Sequence, residues 1–385
     1  MSTLADLCVL IVDCEHKTAP IGDGYAMSVG TKAMKGGRIV WEAAKPVSAE
    51  TYTSWTRRGQ PVAGDLILAR EAPVGEVVRV PASPPVCLGQ RTVLIRANDE
   101  RVDPRGLHYW LRGPLAQAVM SSRSGGATVA HLNVEDVRAL DVSSIEGHGD
   151  RLRATGAILG AIDDLIENNR RRVEVLEEVA GAHYADWLGS LTDVDCTTFG
   201  EIASVVLTSV APQEVDPETP YVGLEHIPRR RLTLNAWGAA ADVASRKLVF
   251  ETDDVLFGKI RPYFHKVAVA PLPGICSSDT IILRTKRAVD WSRVVMTASS
   301  DSFVAHAVQT SNGTKMPRAD WKVLKDFPVP HADAASSRRL QDIVRPALLA
   351  ARALEAEGQA LAALRDLLLP KLVSGEVDVS GLRLG

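Results

Sequence analysis

Two stretches of this chain carry the same coiled-coil spacing of apolar residues, and they lie half a chain apart. In the first, Leu159, Ile162, Ile166, Asn169, Val173, Leu176, Ala180 and His183 alternate steps of three and four. That alternation sets them on one stripe of a helix. Asp163, Asp164, Glu167, Arg170, Arg171, Arg172, Glu174, Glu177 and Glu178 lie between them as a solvated face. The spacing predicts an unbroken helix over 150–188, roughly 50–60 Å long from the helical rise. A helix of that length needs an equally long partner to cover its stripe. Leu340, Ile343, Ala347, Ala350, Leu354, Leu361, Leu364 and Leu368 supply one, on a second helix expected over 335–372. Leu152 and Leu340, Ile166 and Leu354, Val173 and Leu361, and Leu176 and Leu364 are each 188 residues apart in a chain of 385. The chain reads as one unit written twice. Pro346 is expected to kink the second helix or mark its effective start, and Ser336 or Ser337 to cap it.

The segments between the helices repeat in the same order. GDLILAR from Gly64 and the run ending at Val80 read as a hairpin around a Pro-containing turn, and DDVLFGKIRPYFHKVAV is their counterpart. PVCLGQRTVLIRA matches GICSSDTIILRT, and YAMSVG at Tyr25 matches YVGLEHI at Tyr221. Ser48 caps a short helical turn holding Tyr52 and Trp55, and DPRGLHYWLRG reads as a helix with Leu107, Trp110 and Leu111 inward. RALDVSSI reads as a closing strand, and the loop glycines Gly126 and Gly313 correspond. The fold class expected is α/β (α+β). Two pseudo-repeated globular domains, 1–149 and 189–334, are joined by a long antiparallel two-helix coiled-coil spacer, with a tail at 373–385. The scaffold positions repeat and the loop positions do not. Arg70-Glu71-Ala72-Pro73 faces Lys259-Ile260-Arg261-Pro262, and Arg123-Ser124-Gly125 faces Thr310-Ser311-Asn312. Like scaffolds with unlike polar loops suit two different ligands.

Charge is distributed unevenly around a net of −3. Residues 25–131 hold 14 Lys+Arg against 8 Asp+Glu, and residues 221–331 hold 16 against 10, so each body is +6. The first helix holds 5 against 8, and residues 189–220 hold six acids with no Lys or Arg. Two basic bodies separated by acidic connectors point to polyanion binding. Five cysteines without a CxxC argue for a reducing, cytoplasmic setting and against structural zinc. No apolar run is long enough to span a membrane, and the N-terminus, broken by Asp6 and Asp13, makes a poor signal peptide. Asp13, Cys14, His16 and His108 invite a metal reading, but their spacing matches no ligand set. No GxxxxGK[ST], GxSxG, HExxH or amino-methyltransferase Asn/Asp-Pro-Pro-aromatic motif occurs. Asp320-Trp321-Lys322 is a nuclease-like D-x-K fragment of a length that arises by chance.

The ending LLLPKLVSGEVDVS from Leu367 to Ser380, DCEHKTAP near the start, VSAETYTSW and the GDLIL strand resemble the specificity subunit of Type I restriction-modification systems. The resemblance covers nearly the whole chain. It implies that each globular domain is a target-recognition domain reading one half of a bipartite double-stranded DNA sequence. The helices would set the gap between half-sites, one heptad corresponding to about 10 Å, or roughly three base pairs. It further implies two docked copies of a DNA adenine methyltransferase subunit and then motor-nuclease restriction subunits. S-adenosylmethionine and ATP/Mg would belong to those partners, with no cofactor, no catalytic residue and no membrane association here.

Basic and amide residues on the loops are the candidate DNA contacts. In the first domain these are Lys32, Lys35, Arg38, Arg57, Arg58, Arg70 and Arg123; in the second they are Arg229, Arg230, Arg231, Lys259, Arg261, His265, Asn312, Lys315 and Arg318. Arg can fork to guanine and Asn to adenine, whereas Lys more often holds phosphate. For each, the plainer alternative is a solvated surface charge. For the whole chain, the alternatives are a non-catalytic coiled-coil assembly adaptor without DNA specificity, or a stand-alone nuclease or methyltransferase.

Overall fold

The computed structural model describes residues 2–124, 131–191, 195–313 and 315–379. They fall into two compact units, Met1–Asp164 with Leu361–Gly385, and Leu165–Ala360.

In the first unit, four antiparallel strands lie in the order Cys8–Asp13, Thr92–Ala97, Leu66–Arg70, Val74–Arg79. Successive side chains of a strand point to opposite faces. Leu66 and Leu68 therefore join Val93 and Ile95 against Leu107, Trp110 and Leu111 of helix Pro104–Arg112. Ile67 and Ala69 join Leu94 on the opposite face, against Val29, Val86 and Leu88. A sheet covered on both faces needs continuous apolar runs, which is why LILA shows no polar alternation. The second cover is a smaller sheet, Lys45–Val47, Ala26–Val29 and Val86–Leu88, the last two parallel.

The second unit uses the same strand order, Ala203–Val206, Thr280–Thr285, Val255–Gly258, Val267–Val269. Val255 and Phe257 pack toward Trp291, Val294 and Phe303, while Leu256 and Ile282 face Val222, Ile227 and Phe250. Even the ion pair at the strand ends, a buried aspartate with a partly exposed arginine, is written twice. Arg96 donates to Asp65 at 2.8 and 2.7 Å, and Arg284 to Asp254 at 2.8 and 2.7 Å.

Gly149–Gly189 and Ala334–Ser374 are the two long helices, each contributing to both units. In the first unit Leu152 and Leu159 share a core with Leu369, Leu372 and Val373. In the second, Val173 meets Ala351 and Leu354, and Ala180, Tyr184 and Trp187 share a core with Leu340, Val344 and Leu348. The buried stripe departs from strict heptads in both helices. His183 is exposed and Tyr184 takes its place; Ile343 and Leu364 are exposed, while Val344 and Arg365 are buried. A straight helix drifts about 20° per heptad against a 3.5 repeat, so these helices follow the globular cores at their ends. Arg365 is held inside by Asp163 at 2.7 Å.

The second helix does not begin at Pro346, which lies exposed within it. Its ring removes one hydrogen bond to the Asp342 carbonyl, and Asp342 is exposed too, so water can satisfy that group. Nor do the serines cap it. Asp333 Oδ1 accepts from the Ser336 amide at 2.6 Å, and both serines are buried, with Trp187 Nε1 donating to Ser336 Oγ at 3.0 Å. RALDVSSI forms no strand. It comprises the end of helix Val134–Arg138, a single bridge from Thr3 to Asp141 and a turn at Ser143–Ile145.

Asn169 is buried in the helix seam; its Nδ2 donates to Glu357 at 3.1 Å and its Oδ1 has no partner among the described residues. A polar seam residue fixes register at a cost in stability. Asn169→Leu is expected to raise stability by about 1 kcal/mol in thermal unfolding; a fall would show that the Glu357 bond outweighs the stranded oxygen.

Candidate nucleic-acid interface

The two units differ where their hairpins turn. Leu66–Arg70 passes to Val74–Arg79 within three residues, whereas Val255–Gly258 and Val267–Val269 are separated by residues 259–266. Arg261 and His265 both adopt left-handed backbone, at φ 50° and 52°, bracketing the turn Pro262–Phe264. Ala72 has the same conformation at φ 49° in the shorter turn. Non-glycine residues hold this strained region only where their surroundings enforce it.

Here the surroundings are a second loop. The Arg261 amide donates to the Pro317 carbonyl at 2.8 Å and the Ala319 amide to Lys259 at 3.0 Å. Asn312 and Arg318 exchange backbone bonds at 3.1 and 2.9 Å. Lys259, Arg261, Asn312, Lys315 and Arg318 are thereby brought onto adjoining loops. Asn312, Lys315 and Arg318 are exposed, and Lys259 and Arg261 are partly so. Lys259, Arg261 and Lys315 have no ion pair among the described residues, and Arg318 has one loose one, to Asp279 at 3.8 Å. Arg229 lies over the Phe264 ring at 4.1 Å, and Arg230 pairs with exposed Asp301 at 3.0 Å.

Two other candidates of this unit serve the fold. Arg231 bridges Glu174 at 2.9 Å and Glu177 at 2.8 Å on the first long helix, and Glu177 also accepts from the Leu232 and Thr233 amides. Arg231→Ala is expected to cost about 1–2 kcal/mol of stability while leaving the salt dependence of DNA binding unchanged. A flatter salt dependence in a binding titration would return Arg231 to the contact set. His265 is buried, with Nε2 donating to the Ser299 carbonyl at 2.8 Å. Burial pushes its imidazolium below the usual range, so it is a neutral strut rather than a DNA contact.

In the first unit, Lys32, Lys35 and Arg38 are exposed without ion partners among the described residues. Lys35 and Arg38 face each other across a two-residue turn of Gly36 and Gly37, both left-handed. Gly37 suits this left-handed position, and a Cβ there would also have to displace the Arg112 guanidinium, 2.3 Å away. Arg57 is exposed and, among the described residues, bonds Ser54 alone, and Arg58 leans on Glu15 at 3.7 Å. Arg123 caps carbonyls of the next helix, reaching Ala139 at 2.8 Å; residues 125–130 that follow, Gly126 included, lie outside the described residues.

Arg70 is 6% exposed and is not a surface contact. The tight hairpin keeps it inside, with His16 Nδ1 at 3.1 Å, Asp13 at 3.4 Å and His131 at 3.5 Å. Asp13, Cys14 and His16 bring ligand-type atoms within 4.8 Å of one another. The Arg70 guanidinium already contacts His16 and pairs ionically with Asp13, and it supplies the positive charge a metal would bring. His108 lies elsewhere, buried among Arg112, Arg79, Arg365 and Arg105; burial, then those charges, push its pKa down. Asp320 accepts from the Lys322 amide at 3.0 Å as the cap of helix Trp321–Leu324, which explains the D-x-K fragment. Tyr263 and Met316 are exposed beside the basic loops; nothing in their sequence context separates them from core residues.

The doubled sheet scaffold with its two long helices is a fold also found in a solved Type I specificity subunit. The S subunit of a Type I restriction-modification system from M. genitalium has this fold, with a TM-score of 0.60 at 14% identity over 96% of this chain and 95% of that one. The HsdS subunit from Thermoanaerobacter tengcongensis aligns over 97% of this chain and 96% of its own, with 17% identity and a TM-score of 0.34. In sequence, the Type I restriction enzyme EcoDI specificity subunit of Escherichia coli is 26% identical over 134 residues, 34% of this chain. That stretch spans 30% of the relative's length. No family model matches. Among the described residues, no helix is long and apolar enough to cross a membrane.

Proposed function

We propose that this chain is the non-catalytic DNA-recognition subunit of a Type I restriction-modification complex, acting in the cytoplasm on double-stranded DNA. One observation carries the reading: the same four-stranded scaffold occurs twice, and each copy presents a different exposed set of basic residues. Lys32, Lys35 and Arg38 do so in the first unit; in the second, Lys315 and Arg318 do so beside partly exposed Lys259 and Arg261 and the exposed amide of Asn312. Each unit then reads one half-site, with Arg and Asn suited to base edges and Lys to phosphate.

The long helices offer docking surface as well. Val175, Val179 and Ile343 are exposed apolar residues on them in the second unit, and Leu364 and Leu367 in the first. Two adenine methyltransferase subunits, followed by motor-nuclease subunits, are the partners proposed for these faces. Those partners would carry the S-adenosylmethionine and ATP/Mg. Sequencing of methylated adenines in a host with and without the gene tests the proposal. A bipartite methylation motif that disappears with the gene supports the reading, and an unchanged methylome contradicts it.

A further inference from the structure

Within the basic loops of the second unit, two large exposed side chains are apolar. Tyr263 is 51% exposed and Met316 48%. They sit on the two loops that the Arg261–Pro317 backbone bond and the Ile260–Arg318 bridge hold together. Tyr263 is buttressed from behind. Its ring meets Phe264 edge-on at 4.8 Å, and Phe264 lies under the Arg229 guanidinium at 4.1 Å. The turn carrying both rings is fixed at each end by a left-handed residue, and its far end is tied down by the bond from His265 to Ser299. A solvent-exposed ring costs free energy to hold rigid unless something covers it. Cations on the same two loops specify that cover as a polyanion with apolar faces to offer.

We propose that Tyr263, with Met316 beside it, is a wedge that enters the DNA half-site read by this unit and stacks on a base at an opened step. The proposal rests on the DNA-recognition reading above. Lys259, Lys315 and Arg318 would hold the flanking phosphates, and the wedge would recognise a step that opens easily. Proteins that kink DNA use apolar side chains in this way, favouring deformable pyrimidine–purine steps. Among the described residues, the first unit's hairpin offers no equivalent, because it turns in three residues and places partly covered Val74 where the second unit's loop continues.

The test uses the full chain assembled with its methyltransferase subunit, on duplexes carrying the bipartite motif with 2-aminopurine at successive positions. Binding of the unaltered complex should raise fluorescence at one step of the second unit's half-site. Tyr263→Ala should abolish that rise and weaken binding about tenfold or more, with the salt dependence unchanged because every phosphate-binding cation is still in place. Tyr263→Phe, which keeps the ring, should restore both. Met316→Ala should give a smaller loss confined to the same half-site. Equal fluorescence in the unaltered and Tyr263→Ala complexes, or equal loss with Tyr263→Phe, would overturn the wedge while leaving the recognition reading intact. Absence of bipartite binding by the unaltered complex would remove both.

Discussion

Asp290→Ala is expected to destabilise the second unit by about 3–5 kcal/mol, the usual result of stranding a buried charge. Asp290 is fully buried and Arg293 is 2% exposed. Arg293 donates to Asp290 at 2.8 Å and Arg287 does so at 2.6 Å. Arg293 also reaches the Pro330 carbonyl at 2.9 Å and lies over Trp187 of the first long helix. Removing the carboxylate leaves Arg293 charged and dry where the globular core meets both long helices. Thermal unfolding should fall by about 10 °C for a unit of this size. Asp290→Ala combined with Arg293→Met should recover much of the loss, because no buried charge then remains. Burial alone would raise the Asp290 pKa, but the Arg287 and Arg293 bonds outweigh it and hold the carboxyl below its usual range. Its contribution is therefore complete above the ordinary carboxylate pKa near 4 and is lost as pH falls through the lower folded value. The gap between the unaltered chain and Asp290→Ala should narrow in strong acid; a gap that widened there would contradict this assignment.

Reversing Lys259, Lys315 and Arg318 together to Glu should weaken DNA binding by about two orders of magnitude near physiological salt. Removing one cation from a phosphate flattens the plot of log affinity against log salt by about 0.9, so the slope should change by nearly three. The three side chains lie on the joined loops 259–266 and 312–318, and the pairing of Arg318 with Asp279 is too loose to neutralise it. With each unit reading its own half-site, as proposed, the loss should spare recognition of the other half-site. An unchanged slope would show that these charges are only solvated surface.

Periodic apolar patterns make much of this architecture legible in the sequence. The 188-residue offset pairs Thr92 with Thr280 at the starts of equivalent strands, and the Asp65–Arg96 pair recurs as Asp254–Arg284. The seam is less legible. Strict heptads select Ile343 and Leu364, whereas the helix turns Val344 and Arg365 inward, and a buried arginine looks like a surface one until Asp163 is seen beside it. The candidate DNA contacts carry the same ambiguity. Arg70, Arg231 and Arg318 are all arginines in or at the edge of basic loops, yet Arg70 lies among His16, Asp13 and His131, and Arg231 is fastened to Glu174 and Glu177. Those partners lie 54–61 residues away in sequence, and only folding reveals them. Tyr263 is hidden for the opposite reason, because an aromatic in a loop is ordinarily a core residue and its exposure is a tertiary fact.

Selection of bound duplexes from a random DNA library, by the full chain assembled with the methyltransferase subunit proposed for it, would decide whether two units read two half-sites. Two readers on a fixed spacer should enrich two specified blocks separated by a gap of constant length and free sequence. Substitutions at Lys35 and Arg38 should disturb one block, and substitutions at Arg261 and Asn312 the other. Enrichment of a single continuous site, or of none, would contradict the assignment of one half-site to each unit.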